Sequence, residues 1–398
     1  MSINCIVTIL LCLLFQGYVF ASANKISDRT HNKLTVIHRL MAEDEHEEAL
    51  SRLDTLAGHV SSRKYDNAYV QQTYGYLFTS MGRVDDAISA FEKSLAAGVL
   101  QLAASNSIML NLVQLYVNKN ELNKSVELFE KWLGRVEQPA ASELALGGSV
   151  YASYGKHLLA VKYLQQAISI SKNPVEPWYQ LLVSVYFEMK NYKPAVSVLK
   201  KLLTINPQDK NYWLQLSAAY QLTGDQLMAL TVYNLAYLKG IIKRENEIMQ
   251  LAYLYMAENL PLKAAVLLNR SFAKNIVKKS ADNLKLLYQA YLAANELELA
   301  IAVLNDTYKL YADIDIKIKI GQLYMELEEW ASAKEEFYLV LDQDDHKQSA
   351  KVYFLAGITN YELKNYNEAI RLLEISKASK EYKRQSSEWV NYISNLKA

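Results

Sequence analysis

Lys210 to Lys239 reads KNYWLQLSAAYQLTGDQLMALTVYNLAYLK. Trp213, Leu216, Ser217 and Tyr220 recur three and four residues apart, so they share one face of a helix. Gly224-Asp225 breaks that helix. Ala229, Val232, Tyr233 and Ala236 then repeat the spacing on a second one. The stretch therefore predicts a helix hairpin in which Ala229 lets the two helices approach closely, while Trp213 and Tyr233 fill the space around it.

Outward from this hairpin the same small residue returns at nearly constant spacing. Ala49, Ala87, Ser125, Ala160, Ala195, Ala229, Ala264, Ala300, Ala333 and Ala369 are 33 to 38 residues apart. Four residues after each stands a large apolar side chain, from Leu53, Phe91 and Phe129 through to Phe337 and Leu373. Nine residues before stands an aromatic in eight of the ten units: Phe78, Tyr116, Tyr151, Tyr186, Tyr220, Tyr255, Tyr291 and Tyr324. A period of this length indicates an all-α solenoid of about ten helix hairpins. At 398 residues the chain exceeds the roughly 250 to 300 at which one globular core stops growing. A solenoid escapes that limit because each repeat needs only its neighbours.

Glycine or another small residue falls at the predicted helix contact in Gly75, Gly148, Ser217, Ala252, Gly321 and Gly357. Ile37, Val113, Val183 and Tyr288 depart from that rule, which bears on local helix spacing and leaves the fold in place. All six prolines fall between predicted helices or in a helix's first turn, where a missing N–H costs little. The ends of an array must face water. Residues 381–398 are read as a C-terminal capping helix whose apolar stripe is Trp389, Tyr392, Ile393 and Leu396. The unit around Ala49 is the least regular, with its helices expected to begin near Asn32.

The first 23 residues differ from the rest. Ile6 to Phe15 is an apolar run, broken by Gln16 and Gly17, and Ala21-Ser22-Ala23 offers the small-x-small pattern of a signal peptidase site. Residues 1–23 are therefore expected to be a cleaved signal peptide, followed by the repeat array over 24–380. The alternative, an uncleaved anchor, would need roughly 20 apolar residues. Cys5 and Cys12, the two cysteines of the chain, fall inside this segment. Cleavage would leave a mature chain without thiols, suited to an oxidising compartment. Lys plus Arg (43) and Asp plus Glu (42) nearly cancel, and no basic stretch is dense enough to track a phosphate backbone.

A search for chemistry yields no catalytic, cofactor or metal assignment. None of the six histidines forms an HExxH pair on one helix face. Glu43-Asp44-Glu45-His46-Glu47-Glu48 reads as a solvated turn whose acidic residues favour the start of the next helix. Asp342, Asp344 and Asp345 are spaced somewhat like a calcium loop, but Lys347 stands where such a loop needs glycine. Gly147-Gly148 lacks the strand and the rest of a phosphate-binding fingerprint, and close helix packing explains it better.

Trp213, Leu216, Ser217, Tyr220, Ala229, Tyr233 and Ala236 resemble the tetratricopeptide (TPR) signature of Trp, Leu, Gly, Tyr, Ala, Phe and Ala, with Ser217 in place of the glycine. The unit around Ala195 also closes on Asn206-Pro207 as that signature does. The resemblance implies a right-handed TPR superhelix whose first helices line a groove for an extended or helical partner segment. Transferred residue by residue, the lining is Gln72, Tyr76, Gln114, Asn118, Gln180, Phe187, Gln221, Tyr253, Met256, Gln289, Gln322 and Met325. Amides, aromatics and methionine dominate this set, which favours a peptide held by backbone hydrogen bonds and apolar pockets. Gln114, Gln180, Gln221, Gln289 and Gln322 are expected to form a ladder along one surface.

Several stretches are similar to one group of such proteins. Trp178-Tyr179-Gln180-Leu181-Leu182, Tyr212 to Ser217, Leu251 to Tyr255 with Leu260 to Ala265, Gly321 to Tyr324 and Tyr361 to Tyr366 resemble TPR proteins encoded beside TonB energy-transduction components. That resemblance implies a periplasmic, non-enzymatic accessory whose partner is a protein or peptide segment, TonB and its channel subunits included, in uptake of iron carriers or haem. The rival is a scaffold for another envelope assembly, in secretion, pilus, lipopolysaccharide or polysaccharide export.

Overall fold

A computed structural model describes residues 25–342 and 349–397. The expected signal peptide, and Asp344, Asp345 and Lys347, lie outside the described residues. The secondary structure found there is helical throughout, in two compact units divided after Pro207. The first unit holds five hairpins: α1 (Asp28–Ala42) with α2 (His46–Val60), α3 (Lys64–Ser80) with α4 (Val84–Ala96), α5 (Leu102–Asn118) with α6 (Leu122–Leu133), α7 (Ala141–Ser153) with α8 (His157–Ile170), and α9 (Glu176–Glu188) with α10 (Tyr192–Ile205). The second holds α11 (Lys210–Leu222) with α12 (Gln226–Leu238), α13 (Glu245–Ala257) with α14 (Pro261–Ala273), α15 (Ala281–Ala293) with α16 (Leu297–Tyr311), α17 (Asp315–Glu326) with α18 (Trp330–Leu341), and α19 (Ser349–Glu362) with α20 (Tyr366–Ser376). It closes on α21 (Lys383–Lys397).

Every hairpin turn has the same construction. Three residues separate the two helices in all ten, and the middle one has a left-handed backbone: Asp44, Gly82, Asn120, Gly155, Lys190, Gly224, Asn259, Asn295, Glu328 and Lys364. The N–H that follows it bonds back to the carbonyl five positions earlier, as in Glu121 to Tyr116 (2.8 Å), Asp225 to Tyr220 (2.9 Å) and Asn365 to Asn360 (2.9 Å). This is the Schellman closure, which satisfies carbonyls that a helix end would otherwise leave bare.

Between the paired helices the small residues lie where the sequence pattern places them. All nine repeating alanines and Ser125 are fully buried. A Cβ on Gly148 would stand 2.6 Å from Leu164, and one on Gly321 or Gly357 would press equally on Phe337 or Leu373. Glycine thus makes room for the large residue four positions beyond each small one. Where serine replaces glycine or alanine it finds a backbone acceptor: Ser217 Oγ donates to the Ala229 carbonyl (2.8 Å) and Ser125 Oγ to that of Val113 (2.9 Å). Gly147 faces Phe129, so the glycine pair serves packing.

Within each unit, hairpins are joined by tyrosine hydrogen bonds. In five cases the tyrosine nine residues before a small residue pairs with a polar side chain on the preceding second helix, five residues after that helix's own small residue. Tyr116 donates to Glu92 (2.5 Å), Tyr151 to Glu130 (3.1 Å) and Tyr255 to Asn234 (2.8 Å), while the Gln165 amide donates to Tyr186 (2.9 Å) and that of Asn269 to Tyr291. Phe78 has no hydroxyl. Tyr74, one turn earlier and stacked on Phe78 at 5.5 Å, bonds Asp54 in its place. The last bond is inverted, because the tyrosine is Tyr338 on α18 and the amide is Asn360 on α19 (3.3 Å).

Both ends differ in detail from the sequence expectation. The first helix starts at Asp28, ahead of Asn32, because Ser27 caps it: Ser27 Oγ accepts the Thr30 N–H (3.3 Å), and Ser27 N–H donates to buried Asp66 on α3 (2.8 Å). At the C-terminus, Trp389, Val390 and Ile393 pack on Ala369 and Leu373. Tyr392 and Leu396 are half exposed, so the buried stripe is narrower than the apolar sequence implies.

Candidate protein-binding groove

Within each unit the helices form two layers. First helices touch the next first helix directly, as in α1 with α3, α5 with α7, α7 with α9, and α17 with α19, whereas each second helix packs on the first helices beside it. The layer of first helices carries all twelve expected lining residues. Gln72 and Tyr76 lie on α3, Gln114 and Asn118 on α5, and Gln180 and Phe187 on α9. In the second unit Gln221 lies on α11, Tyr253 and Met256 on α13, Gln289 on α15, and Gln322 and Met325 on α17.

Their positions repeat relative to the residue at each helix crossing. Gln72 and Gln180 stand three before it; Tyr76, Gln114, Tyr253, Gln289 and Gln322 stand one after; Phe187, Gln221, Met256 and Met325 stand four after. These offsets share one helical face, and Asn118, five after, lies at its edge. None of the twelve is buried. Asn118, Gln180, Tyr253 and Gln289 are exposed, Tyr253 by 52%. The five glutamines occupy this face of their helices within each unit.

Tyr76, Phe187 and Met325 divide their surface between face and core. The Tyr76 ring meets Phe91 edge-on at 5.1 Å, Phe187 meets Tyr192 at 5.5 Å, and Met325 packs against the cluster around Ile318 and Phe337. The amides make long bonds within their own helices: Gln72 donates to Tyr76 at 3.5 Å, Gln114 to Asn118 at 3.2 Å and Gln180 to Glu176 at 3.5 Å. Gln72 and Gln114 each use one donor in these bonds, out of the two donors and two acceptor lone pairs of a side-chain amide.

Two cross-helix bonds tie neighbouring first helices through this face. The Tyr76 hydroxyl lies 3.1 Å from Ser107 Oγ on α5, and Lys351 Nζ on α19 donates to Gln322 Oε1 at 3.5 Å. Ser107 and Lys351 both stand six residues before their crossing residue, a register the sequence reading missed. Extending the repeat offsets one more turn toward the helix N-terminus would have found them. Charges at these face positions in the second unit, Asp282, Lys285, Asp315, Glu326, Lys351 and Glu362, are of mixed sign. The face therefore has neither an acidic nor a basic track.

Among the described residues no helix is long and apolar enough to cross a membrane. No three acidic, histidine or cysteine side chains gather there as a metal-binding set.

Residues 176–209, which span α9 and α10, match the tetratricopeptide repeat family model. A stretch of 169 residues is 25% identical to a TPR repeat-containing protein of Methanocaldococcus jannaschii, an alignment covering 40% of this chain and 29% of that protein. The chain thus spans less than a third of that relative's length. Among solved structures, the C-terminal part of a TPR repeat-containing protein from Cytophaga hutchinsonii is similar at 17% identity and TM-score 0.49, over 64% of this chain and 98% of that one. A tetratricopeptide repeat protein from Parabacteroides merdae is similar at 12% identity and TM-score 0.43, over 66% and 99% of the two chains.

Proposed function

We propose that the chain is an exported, non-catalytic protein-interaction scaffold whose first-helix face holds an extended or helical segment of a partner protein. The observation that carries this reading is the seam of that face. Tyr76 with Ser107, and Gln322 with Lys351, join neighbouring first helices edge to edge. Half-exposed amides, aromatics and methionines on either side keep hydrogen-bonding capacity and apolar surface for a partner. A peptide lying across several first helices would be held by many weak contacts, a use for which stacked repeats are suited.

The site of action we propose is the periplasm, on the strength of the apolar run Ile6 to Phe15 and the Ala21-Ser22-Ala23 site. The system we propose is TonB-dependent uptake of an iron carrier or haem, supported by the resemblance of residues 178–182, 212–217, 251–265, 321–324 and 361–366. A photo-crosslinking amino acid placed in turn at Tyr76, Gln221 and Gln322 in cells tests both. Capture of TonB, its channel subunits or an outer-membrane receptor from these positions, and not from the second-helix position Leu158, is the expected result. Equal capture from Leu158 would remove the groove, and capture of components of a different envelope machine would remove the TonB assignment.

A further inference from the structure

Two of the links between hairpins repeat each other in charge. Lys239, Lys243 and Arg244, between α12 and α13, return 35 residues later as Lys274, Lys278 and Lys279, between α14 and α15. All six are exposed. Nearby, Lys210 is paired with Glu247 and Lys309 with Asp306, but among the described residues no ion pair joins any of the six. The fold accounts for only the first cation of each link. Lys239 and Lys274 follow a second helix, whose C-terminal dipole favours a positive charge. The other four stand at the start of a first helix: Arg244 is the N-cap residue of α13, and Lys279 precedes Ser280, that of α15. A cation there opposes the dipole.

Each link alone is a short basic stretch, and the fold joins them. Glu245 Oε1, in the first turn of α13, accepts the Lys278 N–H (3.1 Å) and the Asn283 amide (3.0 Å) from the next link and helix, so its charge is committed. Buried Ile242 and Val277 anchor the links in the core. The Tyr311 hydroxyl, at the end of α16, donates to the Lys279 carbonyl (2.8 Å) and adds a third helix end to the same edge. That edge stops at Asp313, which accepts the Asp315 N–H (3.0 Å). Apolar tips stand among the cations: Leu238 is 71% exposed, Leu310 56%, Tyr311 46% and Ile276 37%. Leu238 adjoins Lys239, and Ile276 falls between Lys274 and Lys278.

Within a few residues this edge presents side chains that favour hydrocarbon and side chains that favour anions. A rigid acidic protein surface would answer the cations and leave the apolar tips against charge. The headgroup region of a bilayer answers both, because apolar tips reach the acyl boundary while lysine stems extend to the phosphates. We propose that this edge of the second unit docks on the surface of an anionic lipid bilayer. It uses none of the twelve residues of the proposed groove and is independent of that reading.

Sedimentation of the full chain with vesicles is the test. Binding is expected to vesicles of phosphatidylcholine mixed with phosphatidylglycerol, weakening as salt is raised, and it should be at least about tenfold poorer on phosphatidylcholine alone. Lys278→Gln with Lys279→Gln should weaken binding to the mixed vesicles about twentyfold, since each surface cation contributes about fivefold. Leu238→Ser with Ile276→Ser should weaken it about tenfold through lost apolar insertion. The helical circular dichroism of both double variants should match that of the native chain. Leu158→Ser, at a leucine of the first unit that is 76% exposed, should bind as the native chain does. The apolar run Ile6 to Phe15 is common to all of these chains and cancels from every comparison. Equal binding to the two kinds of vesicle, or unchanged binding in either double variant, would overturn the proposal. So would polyglutamate that displaces the vesicles and is indifferent to the change at Leu238 and Ile276, which would mark the edge as a site for an acidic protein.

Discussion

The Tyr116 hydroxyl donates a 2.5 Å hydrogen bond to Glu92 Oε1, while the carbonyl of the same residue accepts the Glu121 N–H at 2.8 Å. One residue thus closes its own hairpin turn and fastens that hairpin to the preceding one. Tyr116→Phe keeps the ring and the turn but removes the fastening. Because the lost bond is to a charged acceptor, the cost should be about 1.5 to 3 kcal/mol, against about 1 kcal/mol for Tyr255→Phe, whose partner Asn234 is neutral. Hydrogen exchange of α5 and α13 amides in the two variants measures the difference. Equal protection loss would show that charge does not strengthen the bond.

Glycine position should decide the sign of a single added methyl group. At Gly148 a Cβ would stand 2.6 Å from Leu164 and 3.4 Å from the Ala160 carbonyl. Gly148→Ala is expected to cost about 1 to 3 kcal/mol through overpacking. Gly58, inside α2, has nothing within 4 Å of its Cβ position. Gly58→Ala is expected to stabilise by about 0.5 to 1 kcal/mol, since alanine loses less backbone freedom on forming the helix. Melting temperatures of the two variants should move in opposite directions.

Acid and alkali should weaken the second unit through two neighbouring groups. Burial by itself raises the pKa of Glu247, but Lys210 Nζ (2.7 Å) and the N–H groups of Arg244 (3.0 Å) and Lys243 (2.9 Å) outweigh it and hold the carboxyl below its usual value of 4.5. A depressed folded pKa means stabilisation present above about 4.5 and lost as pH falls through the lower folded value. Tyr233 is pushed up to about 12, first by burial and then by the charge of Glu247. Its contribution is complete below about pH 10 and disappears as pH rises toward 12. Urea midpoints across pH 3 to 7 should fall less steeply for Glu247→Gln than for the native chain. The tyrosinate absorbance present in the native chain and missing from Tyr233→Phe should appear only as helix is lost; its appearance near pH 10 with helix intact would contradict the burial.

The hairpins were legible because close helix approach admits few residue types. Ala229, with Trp213 and Tyr233 around it, is a pattern that chemistry leaves little freedom to vary. The tyrosine bonds were half legible. The tyrosines stand out, but the partners five residues after the small residue are Asp54, Glu92, Glu130, Gln165, Asn234 and Asn269, united only by having a polar tip. The turns hid for the same reason, since the left-handed position holds glycine, asparagine, aspartate, lysine and glutamate. The start of α1 was misjudged because the cap at Ser27 depends on Asp66, 39 positions away. For the proposed groove, the twelve residues came from the family resemblance, transferred by repeat position. Ser107 and Lys351 did not, because serine and lysine at a helix start resemble ordinary solvated residues.

The constancy of the turns has an evolutionary consequence. Every link inside a hairpin is three residues, whereas the links between hairpins run from three residues after α2 and α16 to seven after α6 and α14. One residue added to a turn would rotate the second helix by roughly 100° about its axis and carry its small residue away from the contact. Insertions and deletions can therefore accumulate only on the rim where one hairpin hands over to the next. That rim is also the place at which a lineage, or an engineer, can lengthen the chain while keeping its contact faces in register.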